Sequence, residues 1–539
     1  MATSKQNIFS AKALGGSKQI NPVQTMIYAC SNPGLMFALV YLMWAPFLYP
    51  GAHMVWAVAT VVQMFIIAGM YWLMSCAMPR TGGEYIYISR ILHPSLGLLS
   101  SFMISITSIS WTGCLTDWFL KWSLADFFQG LAFLTGSGVG ADRVPNPKWM
   151  QVYDFFMITH VRAVLGLLIL ALILYIYYKG VTWMVKVSTI TLVVTIIGVI
   201  VFLYATFTNG VDNFSQNWTQ YTGVDYNAVI PEVSKMGFSV EFMVMPTIMA
   251  GSTYVILNTL GSTFGANLAG EVRDVQKSSL LSLFGSLAIL MAMWAFFYGL
   301  SYASFGDMWT NCLMILYNSG SELYPFQGDP FLTLTIGILT GSPIFTFLIA
   351  VIFAISTFGA AAGLGFGPTR NFIAWANDKM LPASFAKPNA KTKAPMTTMR
   401  TVIGIAAIFL LMDIYAPDWT ANIAYTIFTW FMGWILLGIA GIVFPYRKKV
   451  LFESAPPIVK TKILGIPLMT ILGVLVTIIS TAICIYLLIP FFNGDLPPTM
   501  IIVSFGIAVI CLIIYFASRA SNKKHNVETK YQFMEIPYE

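Results

Sequence analysis

Residues 27–47 read IYACSNPGLMFALVYLMWAPF, an apolar stretch that is interrupted by Ser31, Asn32, Pro33 and Gly34. A stretch of this length is able to cross a bilayer as a helix. Proline lacks the N–H that an internal helical turn needs, and glycine adds backbone freedom, so we expect the helix to break here. Because a break in lipid leaves backbone polar groups without water, it indicates a feature buried inside the protein.

The composition of the whole chain places this stretch in a membrane protein. The 539 residues are 57% hydrophobic and 9% charged, and the mean hydropathy is +0.75. These values exclude a soluble globular domain and a disordered chain. We predict an all-α polytopic membrane protein with twelve transmembrane helices, at 24–48, 54–78, 95–120, 161–179, 182–208, 240–272, 279–304, 342–376, 397–416, 420–445, 464–490 and 498–519.

Basic residues divide unequally between the two sides of these spans. With the N-terminus in the cytoplasm, 24 lysines and arginines fall on the inner side and five on the outer side. By the positive-inside rule, the tails 1–23 and 520–539 are both predicted to be cytoplasmic, in a multi-pass protein of the cell membrane. The loop 209–239 is then extracellular, and its two Asn-x-Ser/Thr sequences are either chance matches or glycosylation sites at Asn213 and Asn217.

The sixth predicted span carries a second break. Residues 241–272 read EFMVMPTIMAGSTYVILNTLGSTFGANLAGEV, with several glycines and a central polar cluster. Breaks in spans one and six occupy corresponding positions if the chain contains two five-span repeats, 24–208 and 240–445. Because five is odd, the second repeat enters the membrane from the opposite side. This gives a leucine-transporter-like 5+5 inverted repeat, with spans 11 and 12 in 464–519 outside it.

Three further stretches resemble motifs of one family. MPRTGGEYIYISRILHP at 78–94 resembles the Pro-x-x-Gly-Gly-x-Tyr-x-Tyr signature of amino acid permeases in the amino acid–polyamine–organocation (APC) superfamily. LAGEVRDVQKS at 268–278 and GPTRNFIAWANDKMLPASFAKPNAKTKAP at 367–395 are similar to two later segments of that family. Their order and spacing match as well, so the resemblance implies an amino acid permease. Departures at the first break, at 274–275 and at 378–379 leave the pose of the substrate open.

The two predicted breaks carry complementary partial charges. The half-helix that begins after the first break presents free N–H groups, which suit a carboxylate, and the half-helix that ends at the second presents free C=O groups, which suit an ammonium. Side by side they fit a zwitterionic amino acid without burying a charged side chain. A plain kink and close helix packing are the structural alternatives. The predicted substrate-binding residues are Ser31, Asn32, Gly34, Asn258, Thr259, Leu260, Gly261 and Thr263.

Other residues allow both a functional and a structural interpretation. Four aromatic residues could wall the pocket, although ordinary packing is the simpler interpretation: Trp111, Phe264, Phe358 and Trp430. Four charged residues on the inner side are either solvated or brace the inner mouth, as their places in the family motifs suggest: Glu84, Arg90, Arg370 and Asp378. The four histidines show no metal-binding spacing, so no metal and no cofactor is predicted.

The sequence leaves the coupling ion open between H⁺ and Na⁺. Family members that use protons often carry a lysine midway along the fifth span, where the resemblance places Thr195 in this chain. Ser356 and Thr357 are candidate sodium ligands through their hydroxyls. Serine and threonine also bond to their own helix, so neither interpretation is favoured.

Together these features predict a secondary active transporter that moves a neutral amino acid by alternating access. The substrate is predicted to be neutral because spans 1, 3, 6, 8 and 10 offer no carboxylate at mid-depth. The alternatives are a carrier of another amine or a nucleobase on the same scaffold and, from a different class, an integral-membrane enzyme. We predict no enzyme, because a catalytic cluster is missing from the sequence. The predicted partners are the amino acid and membrane lipids, not nucleic acid, and both a monomer and a homo-oligomer stay open.

Overall fold

A computed structural model describes residues 20–32, 44–330, 332–389, 394–417, 427–492, 499–527 and 533, and helices dominate these ranges. The first twelve helices are α1 Pro22–Ser31, α2 Ala45–Leu48, α3 Met54–Val58, α4 Val62–Ala77, α5 Gly83–Ile91, α6 Pro94–Trp118, α7 Asp126–Leu134, α8 Pro147–Met157, α9 Thr159–Tyr178, α10 Val181–Thr208, α11 Val211–Thr222 and α12 Val229–Lys235. The next twelve are α13 Val244–Ala250, α14 Phe264–Asn267, α15 Val275–Leu280, α16 Ser286–Phe305, α17 Trp309–Asn318, α18 Leu332–Thr340, α19 Pro343–Asn377, α20 Met396–Tyr415, α21 Ile427–Arg447, α22 Lys449–Ser454, α23 Leu468–Phe492 and α24 Thr499–Lys524.

Shorter elements join or extend these helices. Three π-helical segments are Phe119–Ala125, Gly251–Val255 and Leu281–Gly285. The 3₁₀ segments are Ala59–Val61, Gly140–Asp142, Tyr226–Ala228, Leu260–Thr263, Ala269–Glu271, Ala383–Phe385 and Pro457–Lys460. Two short strands, β1 Lys462–Ile463 and β2 Ile466–Pro467, pair antiparallel ahead of α23.

Ten helical stretches among the described residues are long and apolar enough to cross a membrane. They coincide with ten of the predicted spans, so the prediction of a polytopic helical membrane protein is confirmed. The predicted span 24–48 falls on α1, on α2 and on residues 33–43, which lie outside the described part of the chain. The predicted span 240–272 falls on a series of short elements that begins with α13.

The helical run that begins with α13 stops at a turn formed by Asn258 and Thr259. The Thr259 N–H and hydroxyl both bond to the Ile256 carbonyl, at 2.8 and 2.6 Å. The Asn258 amide bonds to the Tyr254 carbonyl at 2.8 Å. Such local side-chain bonds compete with the helical ladder. The chain continues as the 3₁₀ segment Leu260–Thr263 and the four-residue helix α14.

The predicted extracellular loop 209–239 is largely helical. Helix α11 buries one face, on which Phe214 and Trp218 are fully buried. Both rings pack against Trp309 of α17, at centroid distances of 5.2 and 4.8 Å. Aromatic residues spaced by four on one helix share a face, so this packing stabilises a helix where polar residues alone favoured a loop.

Helix α6 lies at the centre of the bundle and is the most buried of the ten candidate spans. At Gly113 a Cβ atom would lie 2.8 Å from the backbone nitrogen of Leu410, so glycine allows α6 and α20 to approach closely. Helix α19 packs against α6 and contains Pro368. Because proline has no N–H, the Leu364 carbonyl lacks its helical donor, and the Ser108 hydroxyl of α6 donates to it at 2.8 Å.

Candidate functional site

The end of α1 and the interruption at Asn258 and Thr259 meet inside the bundle. The Asn32 side-chain amide donates to the Gly261 carbonyl at 3.1 Å. Asn32 is fully buried, and Gly261 lies in the 3₁₀ segment that follows the turn at Asn258 and Thr259. A contact between residues 229 positions apart therefore joins the end of α1 to the second interruption. Gly34, also predicted to bind substrate, lies outside the described residues.

Glycine is required on both sides of Asn32. A Cβ at Gly261 would lie 3.0 Å from the Asn32 Cβ and 3.2 Å from the Leu364 Cδ2. A Cβ at Gly363 of α19 would collide with Oδ1, the side-chain amide oxygen of Asn32. That oxygen is buried and accepts no hydrogen bond within the described part of the chain. Asn32 is thus held closely by backbone from two other segments.

A cavity of about 40 Å³ lies beside this contact. Three predicted residues line it: Asn258, Leu260 and Gly261. Six residues complete its wall: Ser108, Trp111, Leu115, Leu257, Leu364 and Trp430. The cavity wall therefore combines the second interruption with one face each of α6, α19 and α21. None of the described residues that line it is charged.

The remaining predicted substrate-binding residues of the described chain are buried near the cavity but do not line it. The Ser31 hydroxyl donates to the Tyr28 carbonyl at 3.1 Å. The Thr263 hydroxyl donates to the Leu260 carbonyl at 2.8 Å, and the Thr259 hydroxyl binds Ile256 as described above. These hydroxyls stabilise the ends of their own helical segments, which is the usual local role of serine and threonine.

The aromatic candidates separate into two groups. Trp111 and Trp430 line the cavity and also pack against neighbouring aromatic rings, so both interpretations stay open for these two residues. Phe264 packs edge-on against Trp430 at a centroid distance of 5.5 Å and borders the cavity region from α14. Phe358 lies elsewhere, in an apolar groove formed mainly by α10, α19 and the π-helical end of α6.

Sequence reasoning missed Ser108 and Leu364, although a signal exists for both. Ser108, Trp111 and Leu115 recur at spacings of three and four, which places them on one helical face. Leu364 stands four residues before Pro368, so its carbonyl needs a donor from another helix. Small polar residues are frequent throughout α6, however, and only the packing shows which face meets the cavity.

Charged side chains close the bundle at the C-terminal end of α19. Arg90 donates to the Asp378 carboxylate at 2.8 Å, and both side chains are buried. Arg370 forms two bonds to the Glu271 carboxylate, at 2.9 and 3.1 Å. The interpretation of Arg90, Arg370 and Asp378 as solvated charges is therefore wrong. We call these two ion pairs, with the helix ends that carry them, the ion-pair end.

Glu84 lies at the same end but makes no ion pair among the described residues. It is 2% exposed, and its carboxyl accepts hydrogen bonds from the Tyr71 hydroxyl at 3.3 Å and from the Asn371 amide at 3.2 Å. Burial raises the pKa of Glu84 from 4.5 to about 7. The interpretation of Glu84 as a solvated charge is wrong as well.

The candidate coupling residues do not form a cluster of free ligands. Thr195 is buried on α10, and its hydroxyl has no hydrogen-bond partner in the described ranges. The Thr357 hydroxyl is bound to the Phe353 carbonyl at 2.8 Å, and Ser356 is buried beside it. No group of three or more metal-ligating side chains is found within the residues that the structure describes.

The two candidate glycosylation sites lie on α11 in different surroundings. Asn213 is exposed. Asn217 is half-buried, and its amide nitrogen donates to the Leu339 carbonyl at 3.3 Å. A glycan on Asn217 would break this bond, so Asn213 is the more accessible acceptor.

Comparison with known protein families identifies the family of this sequence. The sequence model of a family described as Amino acid permease matches residues 21–518, which include every helix that contributes to the cavity and to the ion-pair end. A search of individually curated proteins finds no match.

Proposed function

The chain belongs to the amino acid permease family, and from this premise we propose that it is a secondary active transporter of a neutral amino acid that works by alternating access. Family membership accounts for a multi-pass membrane protein that transports amino acids or related organic cations. It also implies a transporter rather than an enzyme. The neutral substrate, the binding mode and the mechanism are our additions.

The contact between Asn32 and Gly261 beside the cavity is the observation that carries the proposal. The end of α1 and the second interruption meet where a cavity also opens. Interrupted helices place backbone N–H and C=O groups at membrane depth, and ligand sites of secondary transporters use such groups. In the proposed pose the substrate carboxylate lies against the N–H groups that follow Asn32. The ammonium then lies against carbonyls near Asn258–Gly261.

The cavity wall supports a neutral substrate. A cationic side chain would need a carboxylate in the wall, because an unpaired buried charge is costly. The nine lining residues include none, and most of them are leucine or tryptophan. The volume of about 40 Å³ is close to that of one water molecule, about 30 Å³, so we propose that the amino acid binds in a conformation in which this cavity is wider.

The proposed architecture has twelve spans, of which the first ten form a 5+5 inverted repeat with interruptions in spans one and six. The ten candidate spans and the second interruption support this count. Both tails are proposed to be cytoplasmic, which places Asn213 outside and the ion-pair end inside. Alternating access then requires the ion pairs Arg90–Asp378 and Arg370–Glu271 to separate as the inner side opens.

Exchange in liposomes tests the proposal. The purified protein is reconstituted into vesicles loaded with an unlabelled amino acid, and entry of the labelled amino acid is measured for neutral, acidic and basic members and for simple amines. We expect a neutral amino acid to exchange fastest. Repeating the assay with imposed H⁺ or Na⁺ gradients identifies the coupling ion. Fastest exchange of lysine, arginine or an amine without a carboxylate would overturn the proposed substrate class.

A further inference from the structure

Glu84 is a buried carboxyl whose hydrogen-bond donors are neutral. It lies on α5, outside the ten candidate spans, and its carboxyl accepts hydrogen bonds from the side chains of Tyr71 and Asn371 and from its own backbone N–H. The arginines of the ion-pair end are already bound to other carboxylates. A carboxylate that leaves water without gaining a cation is destabilised relative to its protonated form.

The surroundings of Glu84 offer no counter-charge from any packed element that the structure describes. The groups that face its network are Tyr71 of α4, Tyr87 of α5, Ser105 of α6, Asn267 of α14 and Asn371 of α19. Burial is the largest influence on the Glu84 pKa, and hydrogen bonds to the carboxyl lower the pKa by less than burial raises it. With a pKa of about 7, the carboxyl is half protonated at pH 7 and largely protonated below about pH 6 in this conformation.

The network of Glu84 lies between the cavity and the ion pairs. Asn371 follows the cavity residue Leu364 by seven residues, about 10 Å along a helix. The side-chain amide nitrogen of Asn371 also donates to the Ser105 hydroxyl at 2.9 Å. The side-chain oxygen of Asn371 accepts a hydrogen bond from the Asn267 side-chain amide at 3.2 Å. Asn371 thus connects Glu84 to α6 and to α14.

Glu84 is covered by the close contact between α5 and α14. A Cβ at Gly83 would collide with the Asn267 side chain, and the Gly82 N–H bonds to the Asn267 carbonyl at 3.4 Å. Helix α14 continues directly into Glu271, which forms one of the ion pairs. A movement that separates α5 from α14 would therefore expose the Glu84 carboxyl to water as it opens the ion-pair end.

We propose that Glu84 is a proton-binding site that holds its proton while the ion-pair end is closed and releases it to that side when the end opens. The proton site itself does not depend on the proposed function, whereas its effect on transport rests on that function. When the Glu84 carboxyl is exposed to water, its pKa returns toward the ordinary value of 4.5. Protonation of Glu84 therefore stabilises the closed conformation relative to the open one. This stabilisation is fully present below pH 4.5 and is lost as the pH rises to about 7.

Infrared spectroscopy of the purified protein tests the proton site without any transport assay. We expect one component of the carbonyl band of protonated carboxyls to disappear as the pH is raised through about 7 in the wild type. Glu84→Gln should lack this component. Glu232→Gln, which removes a glutamate paired with Lys235 at the surface at 3.5 Å, should retain it. An unchanged band in Glu84→Gln would overturn the proton site.

Cysteine accessibility tests the link to opening. Ser262 lies in the 3₁₀ segment directly before α14. Its hydroxyl is buried and makes no hydrogen bond within the described residues, so Ser262→Cys introduces a thiol beside α14 at little structural cost. Its alkylation rate, corrected for thiol ionisation, should rise about tenfold from pH 6 to pH 8. The rise should vanish when Glu84→Gln is added. An equal rise in both backgrounds would overturn the link, and the six native cysteines, all buried, define the baseline.

A third variant and the exchange assay separate the possible failures. Glu84→Asp keeps an ionisable group and should keep the pH dependence, which leaves the proposal testable if Glu84→Gln does not fold. The rate of exchange by the wild type should change with pH over the same range, between pH 4.5 and about 7. If the wild type exchanges no amino acid, the proposed transport fails while the infrared and accessibility results still decide the proton site.

Discussion

The cavity and the ion-pair end differ in the charged side chains that they contain. The wall of the cavity has no charged side chain and uses backbone groups, one asparagine and one serine. The ion-pair end buries two arginines against two carboxylates and adds the unpaired carboxyl of Glu84. A site that binds and releases a zwitterion is better served by partial charges, whereas full charges fix one arrangement of helices once they are paired. The difference is consistent with our proposal that backbone partial charges bind the substrate and that the paired side-chain charges stabilise the closed arrangement of the inner side.

Removing one partner of the most buried ion pair should give the largest effect. Arg90→Met leaves the Asp378 carboxylate buried without a cation, and such a change typically costs about 3–5 kcal/mol. The pair is almost fully buried, so solvent screening is small. Thermal unfolding of the purified protein measures the loss. The double variant Arg90→Met/Asp378→Leu should recover most of it, and equal losses in the single and double variants would contradict the comparison.

Adding a side chain where the end of α1 meets the second interruption should abolish binding while the fold persists. Gly261→Val must displace Asn32 or Leu364, which lie 3.0 and 3.2 Å from the new Cβ. Two charge-assisted hydrogen bonds at about 1.5–3 kcal/mol each are then lost, so affinity should fall on the order of 100-fold or more. Isothermal calorimetry with the best-exchanged amino acid measures this.

The control for Gly261→Val must be a glycine with free space around it. Gly299 of α16 has no other atom within 4 Å of its added Cβ, so Gly299→Val tests for general effects of valine in a helix. Gly251 is unsuitable, although it lies in the same helical run, because its Cβ would lie 2.5 Å from the Ala57 carbonyl. Near-normal affinity in Gly261→Val would leave a plain helix kink as the explanation of the interruptions.

A smaller effect should come from the hydroxyl that supports the cavity wall. Ser108→Ala leaves the Leu364 carbonyl without the donor that replaces the missing N–H of Pro368. An unsatisfied buried acceptor costs about 1–3 kcal/mol. Pro368→Ala restores a helical N–H, so the cost of Ser108→Ala should shrink in that background. A double-mutant cycle on unfolding temperature measures the coupling, and additive losses would show that the two residues act independently.

The sequence predicted the membrane class and the place of the second interruption because both depend on local composition. Apolar runs of about 20 residues define spans without reference to neighbours. Side-chain direction could not be predicted in the same way. Asn258, Leu260 and Gly261 line the cavity as expected, but the hydroxyls of Thr259 and Thr263 turn back to their own backbone. The same polar residue types are able to face a cavity or to bond to their own backbone, and only the packing of the neighbouring helices selects between the two.

What the sequence determined by itself is the family, the helical membrane class and the interruption near Asn258 and Thr259. What only the tertiary structure decided is which polar groups are buried and what partners they have. Arg90 and Asp378 are 288 residues apart, and their pairing depends on α5 meeting the end of α19. Glu84 stands six residues before Arg90, yet it makes no ion pair within the part of the chain that the structure describes. Hydropathy is a property of one segment, whereas burial of a charge depends on every helix that covers it.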